Sequence, residues 1–181
     1  MIREALLHFP GIGPKRLNCL HHAGVRTWHD LLQVPRCPVG LGRREWYRVR
    51  DAVERCEQAL LTGDIQYLAA TLAPADQWRL LAAYFDSAAF FDIETTGCGC
   101  FDDITVIACF YGGRLTHYVR EENLDDFLDL LEEVPLLVSF NGKSFDVTFV
   151  LRRFHIPELP CAHLDLRWIC YHCGWTGGLK A

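Results

Sequence analysis

The stretch FFDIETTG, Phe90 to Gly97, sets two carboxylates one residue apart between bulky apolar side chains. As a strand, its alternation sends Asp92 and Glu94 to one face and Phe91 and Ile93 to the other, where a core takes them. Two ionised acids side by side repel each other and resist leaving water, so their pairing makes physical sense if a cation sits between them. Ligands that are all oxygen suit Mg²⁺ or Mn²⁺ better than zinc. For an isolated Asp-x-Glu, an exposed strand end is the competing explanation.

The surrounding pattern argues against isolation. AAFFDIE, ITVIACFYG and RLTHYV read as three strands, the last two joined at Gly112-Gly113. NLDDFLDLLEE is an amphipathic helix, PLLVSF a wholly apolar strand of the kind buried on both faces, SFDVTFVLRRF a helix, and HLDLRW the opening of another strand. Strands in succession, then alternating helix and strand, predict a mixed α/β sheet. SFNGKSFD, Ser139 to Asp146, places a third carboxylate just inside a helix, after a buried strand and an Asn141-Gly142 turn. Three carboxylates converging at strand ends are able to hold two metals roughly 4 Å apart, the arrangement that clamps attacking and leaving oxygens in phosphodiester hydrolysis.

FDIETTG followed about fifty positions later by NGKSFD resembles the first two motifs of the DEDD 3′–5′ exonucleases of the ribonuclease H-like fold. With QWRLLAAYFDSAAF before it and HLDLR and GGLK after it, the wording is similar to the YprB-type ribonuclease H-like family, over most of residues 78–180. The resemblance implies a metal-dependent nuclease acting on DNA or RNA at single-stranded ends, with two Mg²⁺ or Mn²⁺ ions. By it, Asp92 bridges both metals, Glu94 binds the one that activates water, and Asp146 holds the second. Asn141 and Lys143 lie where they would contact the scissile phosphate, and Thr95 and Thr96 where the backbone approaches the terminal nucleotide. Asp165 falls in a shared motif without being a ligand there, and reads as a strand-end acid. Such enzymes also need a fourth carboxylate preceded by a general-base Tyr or His, and none of His155, His163, Tyr171 or His172 has an aspartate at the required offset. The expectation is a ribonuclease H-like sheet incomplete at its C-terminus. It is either a fragment of a longer product or a site short of one ligand, with weak or no catalysis. The alternative function is a catalytically dead nucleic-acid-binding module on the same fold.

The front of the chain reads as short helices: REALLHF, then a helix opened by Pro14 and closed at Gly24, one capped by Thr27, and a longer one from about Gly42 to Leu61. FPGIGPKRLNCL resembles a helix-hairpin-helix element, in which Gly11 and Gly13 bring backbone N–H groups near a phosphate and Lys15 and Arg16 add charge. The implied division is a helical nucleic-acid-binding segment over 1–62, a connecting segment over 63–86 and a partial nuclease domain over 87–181. Charge follows it: residues 1–62 carry ten Lys/Arg against six Asp/Glu, a net +4, whereas 87–181 carry seven against fourteen, a net −7. A basic front and an acidic back suit a phosphate-binding module joined to a metal-binding one.

With 181 residues, half of them hydrophobic and 23% charged, the chain is globular rather than disordered. The start MIREALLHFPGIG lacks the apolar length of a secretory signal, and a cytoplasmic location is expected. Nine cysteines in that setting read as reduced thiols packed as small hydrophobes; the Cys98/Cys100 and Cys170/Cys173 pairs leave zinc as a remote option.

Overall fold

The computed structural model describes residues 1–34 and 41–178; Cys37, and Leu179 and Lys180 of the GGLK stretch, lie outside them. The chain divides into two compact units, Met1–Ala83 and Tyr84–Ala181.

The first unit is helical. α1 (Pro14–His22) begins with Pro14 after an extended Gly13 and is followed by Gly24 in the left-handed region. α2 (Trp28–Gln33) has a complete capping box, the Thr27 side chain accepting from the Asp30 amide and the Asp30 carboxylate accepting from the Thr27 amide. α3 (Arg43–Thr62) stops at Gly63, whose φ of +71° is the left-handed cap glycine permits. Its buried stripe of Trp46, Val49, Val53 and Cys56 follows helical spacing, with Ala52 and Ala59 completing it. α4 (Ile65–Thr71), capped by Asp64, lies where only a connection was expected, and α5 (Trp78–Tyr84) follows it. REALLHF is not a helix beyond a single 3₁₀ turn, Ile2–Glu4. The Ala5 carbonyl is taken by the buried Trp28 indole N–H at 2.6 Å, and Ala5, Leu6 and Phe9 sit in the core. Tertiary packing there outweighs helix propensity.

In the second unit a five-stranded sheet has the order β3-β2-β1-β4-β5, built from β1 (Ala88–Thr95), β2 (Ile104–Tyr111), β3 (Arg114–Val119), β4 (Leu136–Ser139) and β5 (Ala162–Asp165). β1, β2 and β3 run antiparallel in sequence; β4 and β5 join parallel to β1. Two connections supply the crossovers that parallel strands require: α6 (Phe127–Glu133) lies between β3 and β4, and α7 (Asp146–Phe154) between β4 and β5. This is the expected ribonuclease H-like mixed sheet. Phe91, Ile93, Ile107, Cys109 and Leu137 share one core with Phe127 and Leu131 of α6 and Phe149 and Val150 of α7. All four β4 residues are buried, as its unbroken apolar run requires. The strand in HLDLRW ends earlier than expected: Asp165 caps α8 (Leu166–His172), so Leu166-Arg167-Trp168 is helical.

His8 carries a pH-dependent part of the first unit's stability. Its ring packs on Phe9 and Trp28, Nε2 lies 3.6 Å from the Cys56 sulfur, and Nδ1 is buried without a partner among the described residues. Burial lowers its pKa to about 4, against a smaller opposing pull from Asp76. A base held neutral in the fold is protonated first in the unfolded chain, so its contribution is present above about pH 6.5 and lost as pH falls toward 4. Denaturant midpoints followed by tryptophan fluorescence at pH 7 and pH 5 should therefore differ, and His8→Phe should narrow the gap by on the order of 1 kcal/mol.

Candidate active site

β1 outruns its parallel neighbour. The last β1–β4 pair is Phe90 with Val138, whereas pairing with β2 continues to Thr95 through a bulge after Glu94. Asp92 and Glu94 thus lie on a projecting segment supported on one side only. Their side chains are exposed while Phe91 and Ile93 are buried, the alternation of a half-buried strand. Neither carboxylate has a hydrogen-bond or ion-pair partner among the described residues.

On the unsupported side the Ile93 amide donates to Asp146 Oδ1 at 3.2 Å. Asp146, the first residue of α7, thereby fills the ladder position that β4 leaves empty. It is only 3% exposed. Burial pushes its carboxyl up to about 6, and the neighbouring charge of Asp92 acts in the same direction. The ionised form is poorly served by the protein alone.

The turn that delivers Asp146 is sterically specified. Asn141 has a φ of +64°, in the region that asparagine tolerates better than most residues. A Cβ on Gly142 would lie 2.0 Å from Ser139 Oγ and 2.7 Å from Ser139 Cβ, so no larger residue fits without movement. The Ser139 hydroxyl itself contacts His163 Nε2 at 2.8 Å. Asp165 secures the turn from beneath: Oδ1 accepts from the Asn141 amide at 2.7 Å and the Arg167 amide at 3.0 Å, and Oδ2 from the Lys143 amide at 3.1 Å. The sequence reads Asp165 as a plain strand-end acid; the structure makes it the N-cap of α8, the position an aspartate favours. Asn141 Oδ1 accepts from Arg167 Nη1 and from the Ser144 hydroxyl, so the Asn141 side chain is engaged, while Lys143 is exposed.

Thr95 and Thr96 open a self-bonded loop. The Thr95 hydroxyl donates to the Gly97 carbonyl at 2.7 Å and that of Thr96 to Asp102 Oδ1 at 2.9 Å. Asp102 Oδ2 also accepts from the Gly99 amide, and Arg152 of α7 holds the Asp102 carbonyl. Both hydroxyls are thus spent on loop structure.

An all-oxygen set of two exposed acids and one buried acid that resists ionisation is chemically suited to a hard divalent cation. The side chains are not gathered around one point, however. Among the described residues no group of three or more His, Cys, Asp or Glu side chains is placed to hold a metal ion. The same holds for zinc: Cys98 and Cys100 are exposed in the loop after β1, and Cys170 and Cys173 lie on and just after α8, as free thiols.

In the first unit Gly11, Gly13, Pro14, Lys15 and Arg16 line one open concavity of about 510 Å³ at the start of α1. The glycines differ in role. Gly11 has a φ of +75°, and a Cβ there would lie 3.0 Å from Arg16 Nη1, whereas Gly13 is extended and faces open space. Arg16 Nη1 donates to the Gly11 carbonyl, bracing the turn, and Lys15 is exposed.

Two substitutions test the turn. Gly142→Ala should lower stability by about 1–3 kcal/mol through overpacking, with Ser139→Gly restoring part of it in the double variant, read by chemical denaturation. Asp165→Ala, which leaves three amides without their acceptor, should cost about 2 kcal/mol or more, and Asp165→Asn less.

No curated protein matches the chain. Among solved structures, the family B DNA polymerase from the hyperthermophilic archaeon Pyrobaculum calidifontis is 18% identical, with a TM-score of 0.37. The match covers 44% of this chain and 15% of that one. The family model described as RNase_H superfamily matches residues 89–181, the segment that carries the sheet, the acid pair and the Asp146 turn. The chain belongs to the RNase H superfamily.

Proposed function

We propose that the protein is a metal-dependent nuclease of the DEDD type, related to the YprB-type family, that hydrolyses phosphodiester bonds of DNA or RNA from 3′ ends. The observation that carries the reading is the hydrogen bond from the Ile93 amide to Asp146. It ties the third acid to the backbone between Asp92 and Glu94. Asp92, Glu94 and Asp146 would hold Mg²⁺ or Mn²⁺, and such ions supply water activation and charge neutralisation in phosphoryl chemistry. The protein's own part is to orient the carboxylates, with Asn141 and Lys143 at the phosphate and Thr95 and Thr96 shaping the backbone beside it. The concavity at Gly11, Gly13, Lys15 and Arg16 would bind a backbone phosphate in helix-hairpin-helix fashion, because first-turn amides have no intrahelical acceptor and the helix dipole favours an anion. No helix among the described residues is long and apolar enough to cross a membrane. A cytoplasmic setting remains part of the proposal.

A second reading is favoured by a specific observation: no three candidate ligands are gathered around one point among the described residues. On that reading the fold holds nucleic acid without cleaving it.

Calorimetric titration with Mn²⁺ should show binding by the native chain and its loss in Asp92→Ala. Labelled single strands incubated with Mn²⁺ should be shortened from the 3′ end, with Asp92→Ala slower by at least about 100-fold. Binding of the strand with no shortening would select the second reading, and absence of both would sink the two together. For the front site, Lys15→Ala should reduce the magnitude of the slope of log affinity against log salt by about 0.7 for single strands.

A further inference from the structure

The turn after β4 and helix α8 frame a cavity of about 420 Å³, lined by Asn141, Lys143, Ser144, Arg167, Trp168 and Tyr171. Its chemistry runs against its surroundings. Residues 87–181 carry seven Lys/Arg against fourteen Asp/Glu, yet this lining has two cations and no acid. Trp168 and Tyr171 meet edge-on, ring centroids 6.2 Å apart at 76°, and remain 50% and 57% exposed. Among the described residues the Lys143 ammonium, the Trp168 indole N–H and the Tyr171 hydroxyl have no hydrogen-bond or ion-pair partner. The Arg167 guanidinium donates to Asn141 Oδ1.

The lining is also braced. The Asp165 carboxylate accepts the backbone amides of both Lys143 and Arg167, so the two cationic residues are anchored to one buried group from different elements. Single exposed aromatics are ordinary on protein surfaces. A concave pair beside two anchored cations is a different arrangement, offering a flat π surface and an anion site within one small volume. A nucleotide has both complements, a base with a π face and a phosphate. A base inside a duplex has its faces covered by its neighbours, so only an unpaired one can stack here.

We propose that this cavity is a subsite for one nucleotide of a single strand, its base against Trp168 and Tyr171 and its phosphate on Lys143 and Arg167. The proposal rests on the reading that the protein acts on nucleic acid, and adds three residues, Arg167, Trp168 and Tyr171, to those that hold the strand. Stacking of this kind tolerates any base and gives little sequence preference.

The test is binding without metal. Anisotropy of a fluorescein-labelled oligothymidylate of about 12 nucleotides, with the full chain in EDTA, reads strand binding without the metal-site contribution, and the front concavity contributes equally to all the variants compared. Trp168→Ala and Tyr171→Ala should each weaken binding about 5- to 100-fold without changing the salt slope, and the phenylalanine replacements should restore most of it. Lys143→Glu, at an exposed position, should weaken binding and flatten the slope whether or not the aromatic variants fold well. A duplex of the same length should be indifferent to the aromatic changes. Undiminished binding by folded Trp168→Ala and Tyr171→Ala, or by Lys143→Glu, overturns the proposal, as does equal sensitivity of the duplex. Failure here is separable from failure of the nuclease reading. Mn²⁺ binding and its loss in Asp92→Ala are measured without nucleic acid, and oligonucleotide binding is measured without metal.

Discussion

A parallel strand that stops short of its neighbour leaves backbone amides without a ladder partner, and in this sheet buried carboxylates answer them. β4 pairs with β1 only as far as Phe90, and the next free amide on that side, Ile93, donates to Asp146. One step outward, β5 ends at Asp165, whose oxygens take the amides of Asn141, Lys143 and Arg167. An unsatisfied buried amide costs about 1–3 kcal/mol, so these bonds hold the turn and two helix starts where they are. Asp146 thereby ties the start of α7 to β1, and Asp165 ties the Asn141–Lys143 turn to the start of α8.

The same arrangement creates an electrostatic imbalance. Ile93 anchors Asp146 while its neighbours Asp92 and Glu94 stand exposed on the sheet face, so three acids share a region with no ion-pair partner among the described residues. Burial and the nearby charge of Asp92 push Asp146 up to about 6. Structural carboxylates that take backbone amides ordinarily shift the other way. The donors are all oxygen, the chemistry that suits a hard divalent cation, but among the described residues they are not gathered around one point. Alongside lies a cavity of opposite character, cationic and aromatic, sharing Lys143 and Asn141 with the turn. Acids thus lie on one side of the strand ends, and cations with aromatic faces on the other.

Periodicity made most of the fold legible. The alternation around Asp92 and Glu94, the unbroken apolar run of β4 and the helical stripe of α3 each dictate one element, because burial of one face or both leaves a recognisable period. Where reading failed, a distant partner was responsible. REALLHF has helical composition, but Trp28 takes the Ala5 carbonyl and packing forces a 3₁₀ turn followed by irregular chain. HLDLRW continues a strand pattern, but the Asp165 side chain bonds the Arg167 amide and starts a helix. Gly11 and Gly13 look equivalent in the sequence, yet only the first adopts a backbone that needs glycine.

By itself the sequence determined which residues share a strand face, which segments are buried, and that three acids fall near strand ends, since these depend on local period and composition. Tertiary structure alone decided that Asp146 meets the backbone between the acid pair, that Asp165 organises the neighbouring turn, and that Lys143, Arg167, Trp168 and Tyr171 line one cavity. Those are contacts between residues more than twenty positions apart, or between elements whose relative placement no local period encodes. They arise from where each parallel strand ends against the next, a property of the assembled sheet.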